Sequence, residues 1–282
     1  MKSFLPADLP PDTALLVRPV YLAGHGETST IYDALPDTRG WGKAATDTGV
    51  MFTSPRQDVQ VAYLPESRYG GWKITQCHEP LGMPIWSAAF SENTPAEIVS
   101  AFTTALGDDQ RCEARHALSH DPQDRSWHPA GVLADLGWHH QDDDRFLYLH
   151  APDGRAYLRM RRGELADDVE LRGDGPALWT MHAGIDEVAG ERWHADFTAH
   201  TPLHLLAATA RAFSSADPVE RTLADIPERN LLFITATPVD EHAATRQSAA
   251  LARTPNAPPI RPASPPPPAA SHPAAHAPTR HR

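Results

Sequence analysis

The side chains best placed to do chemistry lie in one run, Arg155-Ala156-Tyr157-Leu158-Arg159-Met160-Arg161-Arg162. Successive side chains on a strand alternate in direction, so Arg155, Tyr157, Arg159 and Arg161 share one face, and Ala156, Leu158 and Met160 share the other. Guanidinium groups set around a phenol ring can grip phosphates while a base stacks on the ring. The same letters suit a solvated strand face whose arginines pair with the nearby Glu164, Asp167, Asp168 and Glu170. Exposed pairs of that kind contribute only about 0–1 kcal/mol each.

Histidine is the next candidate. His139-His140-Gln141-Asp142-Asp143-Asp144 offers nitrogen and carboxylate ligands for a divalent metal. Neighbours on a strand face apart, however, and a hairpin loop after Gly137-Trp138 accounts for the same residues. His194, Asp196, His200 and His204 could converge near a helix start. Cys77-His78 sets a thiol beside a base, but nothing marks a third group to orient them, and a half-buried cysteine explains the pair. His25-Gly26-Glu27 has no second cluster at metal spacing. Gly40-Trp41-Gly42-Lys43 lacks the spacing of a phosphate loop, and neither G-x-S-x-G nor H-E-x-x-H occurs. No metal or cofactor is expected, and an enzyme is disfavoured.

These residues are carried by a duplication. Trp86, Ala88, Phe90, Thr94 and Pro95 recur as Trp193, Ala195, Phe197, Thr201 and Pro202, a shared W-x-A-x-F-x-x-x-T-P at an offset of 107. Upstream, Gly40-Trp41 matches Gly137-Trp138 and Ser54-Pro55 matches Ala151-Pro152 at an offset of 97, and Ala62-Tyr63-Leu64 is matched with Ala156-Tyr157-Leu158. The drift in offset implies insertions between strands.

Each copy reads as a short helical turn (Ile31–Leu35; Gly131–Leu136) leading to Gly-Trp and then to strand-length alternating runs. In repeat one these are Val50–Thr53, Val59–Leu64, Trp72–Gln76 and Ile85–Phe90. In repeat two they are Phe146–His150, Ala156–Met160, Ala177–His182 and Arg192–Phe197. Thr94 as N-cap, Pro95 at the first position and Glu97 completing a capping box start a helix, along which Ile98, Phe102, Ala105 and Leu106 form an apolar stripe. Thr201-Pro202 repeats the start, with Leu205, Ala212 and Phe213 keeping part of the stripe. Each stripe is expected to cover the aromatic face of its own sheet. The fold class is therefore α+β: two tandem repeats, each an antiparallel meander of about four to five strands closed by an amphipathic helix.

The positions on which the copies agree (Trp41/Trp138, Tyr63/Tyr157, Trp86/Trp193, Phe90/Phe197, Thr94/Thr201) are apolar, turn or cap residues, as a scaffold requires. The arginine face is not duplicated: repeat one offers Val61, Tyr63 and Pro65 at the matching places.

These motifs resemble the streptomycete SPDY domain, a domain of unknown function. Ala151-Pro152-Asp153-Gly154 is close to the family's Ser-Pro-Asp turn, whereas Ser54-Pro55-Arg56-Gln57 keeps Ser-Pro and loses Asp. The resemblance spans roughly residues 20–217 in two copies and implies an actinobacterial origin. It brings no activity, cofactor or catalytic residue.

Composition frames the rest. The chain of 282 residues has a formal charge of −11. Its last 28 residues hold ten of the 28 prolines and three arginines but no carboxylate. A body that acidic disfavours general polyanion binding. Two cysteines cannot form a disulfide framework, no apolar run reaches the 18 residues of a membrane span, and the proline-broken N-terminus lacks the apolar core of a signal peptide; a cytoplasmic location is expected. The expected organisation is a lead-in (1–20), repeat one (21–109), a linker (110–127), repeat two (128–217), an extension packed on repeat two (218–240), with Leu231–Ile234 as a strand or clasp, and a disordered Pro/Ala-rich tail (241–282). The tail's P-x-x-P runs, Pro259–Pro262 and Pro262–Pro265, suit either a partner's aromatic groove or a spacer. The resulting reading is a non-catalytic binding or adaptor protein with an unknown protein partner. A nucleic-acid module using the Arg155, Tyr157, Arg159 and Arg161 face is the alternative, and an enzyme with a site in repeat two alone is the second.

Overall fold

The computed structural model describes residues 9–35, 40–65, 70–80, 82–116, 128–163, 166–173, 175–185 and 192–239. Repeat one opens with α1 (Ser29–Ala34) and runs through β2 (Gly42–Thr46), β3 (Gly49–Thr53), β4 (Val59–Tyr63), β5 (Trp72–Cys77) and β6 (Pro84–Phe90) into α2 (Ala96–His116). Repeat two has the same order: α3 (Pro129–Asp135), β7 (His139–Asp142), β8 (Phe146–His150), β9 (Ala156–Arg161), then β10 (Trp179–Ala183), β11 (Trp193–Phe197) and α5 (Leu203–Phe213), with an added α4 (Asp167–Arg172) between β9 and β10. β1 (Ala14–Arg18) precedes the repeats; β12 (Val219–Thr222) and β13 (Thr235–Pro238) follow them. The alternation read from sequence fits these strands: Trp86, Ala88 and Phe90 are buried while Ser87 and Ala89 between them are not. His139–Asp142, expected in a hairpin loop, is an exposed edge strand instead. The Ser54 turn holds Gln57 at φ 61, where repeat two has Gly154 at φ 72, and glycine takes that conformation without a Cβ clash.

The two meanders do not form separate sheets. They join in one antiparallel sheet of ten strands, ordered β2-β3-β4-β5-β6-β11-β10-β9-β8-β7. Alone, β6 and β11 would each end a sheet with a row of unpaired N–H and C=O groups; pairing them removes both edges. The junction has a local two-fold symmetry, because Phe90 pairs with Ala195, Ala89 with Asp196 and Ala88 with Phe197. Ser91 N–H donates to His194 O at 2.9 Å and Thr198 N–H to Ser87 O at 3.0 Å. His194 N–H donates to Ser91 Oγ, and Ser87 N–H to Thr198 Oγ1, both at 2.9 Å. The repeated threonines complete the seam. Thr94 Oγ1 donates to His194 O at 3.5 Å, and Thr201 Oγ1 to Ser87 O at 3.4 Å.

Register corrects one equivalence. Tyr63 pairs with Trp72 as Met160 pairs with Trp179, so the counterpart of Tyr63 is Met160, on the covered side. Tyr157 corresponds to Gln60, and Arg159 and Arg161 to Ala62 and Leu64, rather than to Val61, Tyr63 and Pro65. The matched letters Ala-Tyr-Leu fell three residues out of register, which on a strand reverses the face. The same pairing reveals an anchor pair missed by sequence reasoning, Trp72/Trp179, both buried and at the 107 offset of Trp86/Trp193.

The two closing helices, α2 and α5, cover one side of the sheet, and their stripes do not stay with their own repeat. Phe102 of α2 lies 6.1 Å from Trp86 and 5.5 Å from Phe90, but also stacks at 5.8 Å on Phe197 of repeat two. Phe213 of α5 packs against Trp193, Trp138 and Tyr21, and α2 packs on α5. Trp41, Trp86, Trp138, Trp193, Phe90 and Phe197 are all buried. α2 runs to His116, seven residues into the segment read as linker.

The α2 start also differs from the expected capping box. Ala96 N–H donates to the carbonyl of His25 at 2.8 Å, and Glu97 holds Arg221 of β12 through both oxygens, at 2.7 and 2.6 Å. Arg221 belongs to a second sheet, ordered β12-β1-β13, in which the lead-in pairs with the C-terminal extension. That extension therefore reaches both repeats: Arg221 meets α2, and Phe233 lies under Arg155. Within it, Glu228–Leu232 forms 3-10 turns, and the strand falls later, at Thr235–Pro238. One compact unit ends at Val239. The tail read as disordered (241–282), most of the linker (117–127) and Glu164 lie outside the described residues.

Candidate functional site

The period of two that buries Leu149, Ala156, Leu158 and Met181 sends their neighbours to the opposite, helix-poor face. There β8 contributes Phe146, Tyr148 and His150; β9 contributes Tyr157, Arg159 and Arg161; β10 contributes Thr180 and His182; and β11 contributes His194 and Asp196. Cross-strand pairing sets His150 beside Tyr157, Tyr157 beside His182 and His182 beside His194. The rings interact accordingly: Tyr157 stacks on His182 at 4.9 Å and 12°, Tyr148 stacks on His150 at 5.6 Å and 15°, and Tyr148 meets Tyr157 edge-on at 5.9 Å.

Arg159 is held by this same face, and Arg155 is held apart from it. Arg159 lies 4.9 Å from the Phe146 ring and donates to Thr180 Oγ1 at 3.0 Å, and Thr180 in turn donates to Asp196 at 2.8 Å. Arg155 sits 3.9 Å over Phe233 and donates to Asp153 O. Burial, then the charges of Arg192, His194 and Arg159, depress His182 from the usual histidine range to about 4, so its ring is neutral at pH 7. Of the four residues read from sequence, Tyr157, Arg159 and Arg161 share this face with Phe146, Tyr148, His150, Thr180 and His182; Arg155 instead turns to Phe233 of the extension and to Asp153 O. The signal for the additional β8 residues was the aromatic–aliphatic alternation of Phe146–His150, read earlier only as a strand.

Of the acids offered as partners for these arginines, the three among the described residues are engaged elsewhere. Asp168 takes Arg172 at 3.2 Å, Asp167 takes His200 at 3.1 Å, and the Glu170 carboxylate accepts the N–H groups of Leu178 and Ala199, at 2.5 and 2.8 Å. Three of these acids lie on α4, which explains the drift in repeat offset. The connection between β9 and β10 spans residues 162–178, against 64–71 for its counterpart between β4 and β5, and the added residues build a roof over the sheet junction. Buried Glu170 pins that roof through the two backbone bonds.

The remaining candidates disperse. Among the described residues no three His, Cys, Asp or Glu side chains are placed to hold a metal. His140 pairs with Asp142 at 2.7 Å, and His194 lies 3.9 Å from Asp196 while His200 turns to Asp167. Cys77 is buried, and burial followed by the Asp58 charge pushes its thiol pKa upward, against a nucleophilic role. No helix of the described residues is long and apolar enough to cross a membrane.

A duplicated meander-plus-helix unit, fused through its two last strands and decorated on one uncovered face of the second copy, defines the class: an α+β tandem-repeat protein. Residues 53–112 and 150–219 match the SPDY family, a domain of unknown function (DUF317), and the chain carries this domain in tandem. Both matched segments begin at the end of the third or eighth strand, at equivalent positions; the first ends within α2 and the second takes in all of α5. No curated protein and no solved structure matches the chain.

Proposed function

We propose that the chain is a non-catalytic, cytoplasmic binding protein that recognises a protein partner through the uncovered face of repeat two. The supporting observation is where the two copies differ. What they share is spent on the core and the seam. The rings and guanidinium groups of repeat two instead gather on a face that the core does not use. Tyrosine and arginine, with few lysines and carboxylates, are the residues that carry most binding energy at protein interfaces. Cross-linking in an extract of the native source, with wild-type protein beside Tyr157→Ala and Arg161→Glu, tests this. A partner captured by the wild type and lost in both variants at unchanged melting supports the reading. Turnover of any substrate, abolished by one polar substitution with the fold intact, overturns it.

The Tyr157–His182 stack, with Arg159 and Arg161 on the same strand face, favours one second reading, a module for single-stranded nucleic acid, against which the formal charge of −11 stands. Mobility shift of single-stranded DNA at about 50 mM salt decides it. A shift lost in Arg159→Glu and Arg161→Glu supports this reading, and no wild-type shift rejects it.

A further inference from the structure

The ten-strand sheet ends in two open strands that are guarded differently. At one end β7 carries charge: Asp142 takes both His140, at 2.7 Å, and Arg162, at 2.5 Å. At the other end β2 pairs only with β3 among the described residues. All five of its residues, Gly42-Lys43-Ala44-Ala45-Thr46, are exposed. Charged side chains and proline are what usually keep such an edge from pairing. β2 has no proline, and its one charge is drawn inward, the Lys43 ammonium lying 5.5 Å from the Tyr32 ring and 5.6 Å from the Phe52 ring. We propose that β2 is a dimerisation edge, pairing antiparallel with β2 of a second copy about a two-fold axis at Ala44.

Backbone register carries the assignment. Thr46 and Gly49 flank the two-residue turn to β3, and the pair that closes such a hairpin is hydrogen-bonded. Bonded pairs alternate along an antiparallel ladder. Ala44 and Gly42 therefore also bond to β3, while Lys43 and Ala45 turn their N–H and C=O groups outward. Centring the two-fold on Ala44 sets Lys43 opposite Ala45 of the second copy, and Ala45 opposite its Lys43. The outward groups of one copy then meet those of the other, and no like charges stand opposite. Centred on Lys43, the same strands would set two lysines opposite, which is destabilising. The side chains agree with this register. On the uncovered face Ala62 pairs with Met51 and Met51 with Ala44. Met51 is 39 % exposed, and the two-fold extends its row through Ala44, Met51 and Ala62 of the second copy without a polar residue. β6 and β11 already join one repeat to the other by an edge pairing with local two-fold symmetry. The charged β7 edges are left at the two ends, so the association closes as a dimer.

The test is sedimentation equilibrium of the full chain from about 1 µM to about 1 mM. One short edge buries less than a standard interface, and a dimer that dissociates at about 10–100 µM is expected. Ala45→Pro removes an outward N–H and no bond to β3, and Ala44→Lys sets two ammonium groups opposite at the axis; both abolish the dimer with melting unchanged. Ala44 faces its own copy in a non-hydrogen-bonded pair, the closest approach in a ladder. Under mild oxidation Ala44→Cys therefore gives a covalent dimer beyond the wild-type background, and Thr46→Cys, opposite Gly42, does not. A chain that stays monomeric over the whole range, as it would if the edge serves another protein, overturns the proposal. So does a dimer that survives Ala45→Pro or Ala44→Lys, or a cross-link that forms as readily at position 46 as at 44. β2 shares no residue with the recognition face of repeat two, so this proposal and the partner reading fail separately.

Discussion

Replacing Glu97 with alanine strands a buried charge. Arg221 is only 5 % exposed and gives both terminal nitrogens to the Glu97 carboxylate, at 2.7 and 2.6 Å. Its remaining partners are two carbonyls, Glu220 O at 2.7 Å and Gly24 O at 3.5 Å, and its buried Nε has no hydrogen-bond partner among the described residues. Removing one side of a buried pair costs about 3–5 kcal/mol. The Glu97 side chain is itself 37 % exposed, so water can enter its place, and the lower end, about 3 kcal/mol, is expected for Glu97→Ala. In urea unfolding, with a slope of about 2–3 kcal/mol/M for a chain of this size, the midpoint falls by about 1 M. Glu97→Ala combined with Arg221→Met removes both charges and keeps an apolar stem in the buried place of Arg221, and should recover stability to within about 1 kcal/mol of wild type. A single variant costing less than about 1 kcal/mol, or a double variant no better than the single, refutes the argument that Arg221 is held as a charge.

Trp86→Ala and Trp193→Ala each destabilise by about 3–5 kcal/mol, read as a fall in melting temperature. Both indoles are 2 % exposed, and each also donates a hydrogen bond, to Gln76 Oε1 and to Tyr21 O. Acid should weaken the fold through His182. Its folded pKa lies below the unfolded value of about 6.5, so the unfolded chain takes the proton first. Stability is level above that pH and falls as pH drops from there toward 4, by about 1 kcal/mol per unit. His128, also lowered by burial, adds to the same slope. Urea melts between pH 7.5 and pH 5 should show the loss, and His182→Gln should reduce it; an unchanged slope would mean that the Tyr157–His182 stack does not form.

The strands, the two closing helices and the order of the repeat were legible because their signals are local. Trp86, Ala88 and Phe90 alternate within five residues, and Ile98, Phe102 and Leu106 recur within nine. That Tyr157, Arg159 and Arg161 share a strand face was legible for the same reason, whereas the turn of Arg155 toward Phe233 was not. The β8 half of that face was within reach of the same period-two reading. Tyr63 and Tyr157 show the limit, since like letters were matched where only hydrogen-bond register tells which face a residue takes. α4 was invisible as an element but present as arithmetic, in the drift of the repeat offset.

Sequence alone determines that this chain holds two copies of one α+β unit, which side chains share a strand face, and where turns and helices begin, because dihedral preference and side-chain alternation act over a few residues. Only the tertiary structure decides that β6 pairs with β11, that the lead-in and the extension form a second sheet some 200 residues apart in the chain, and that Glu97 serves Arg221 rather than its own helix. Those choices follow from which strand edges and buried charges would otherwise be left unpaired. That balance is struck between distant segments and leaves no local pattern to read.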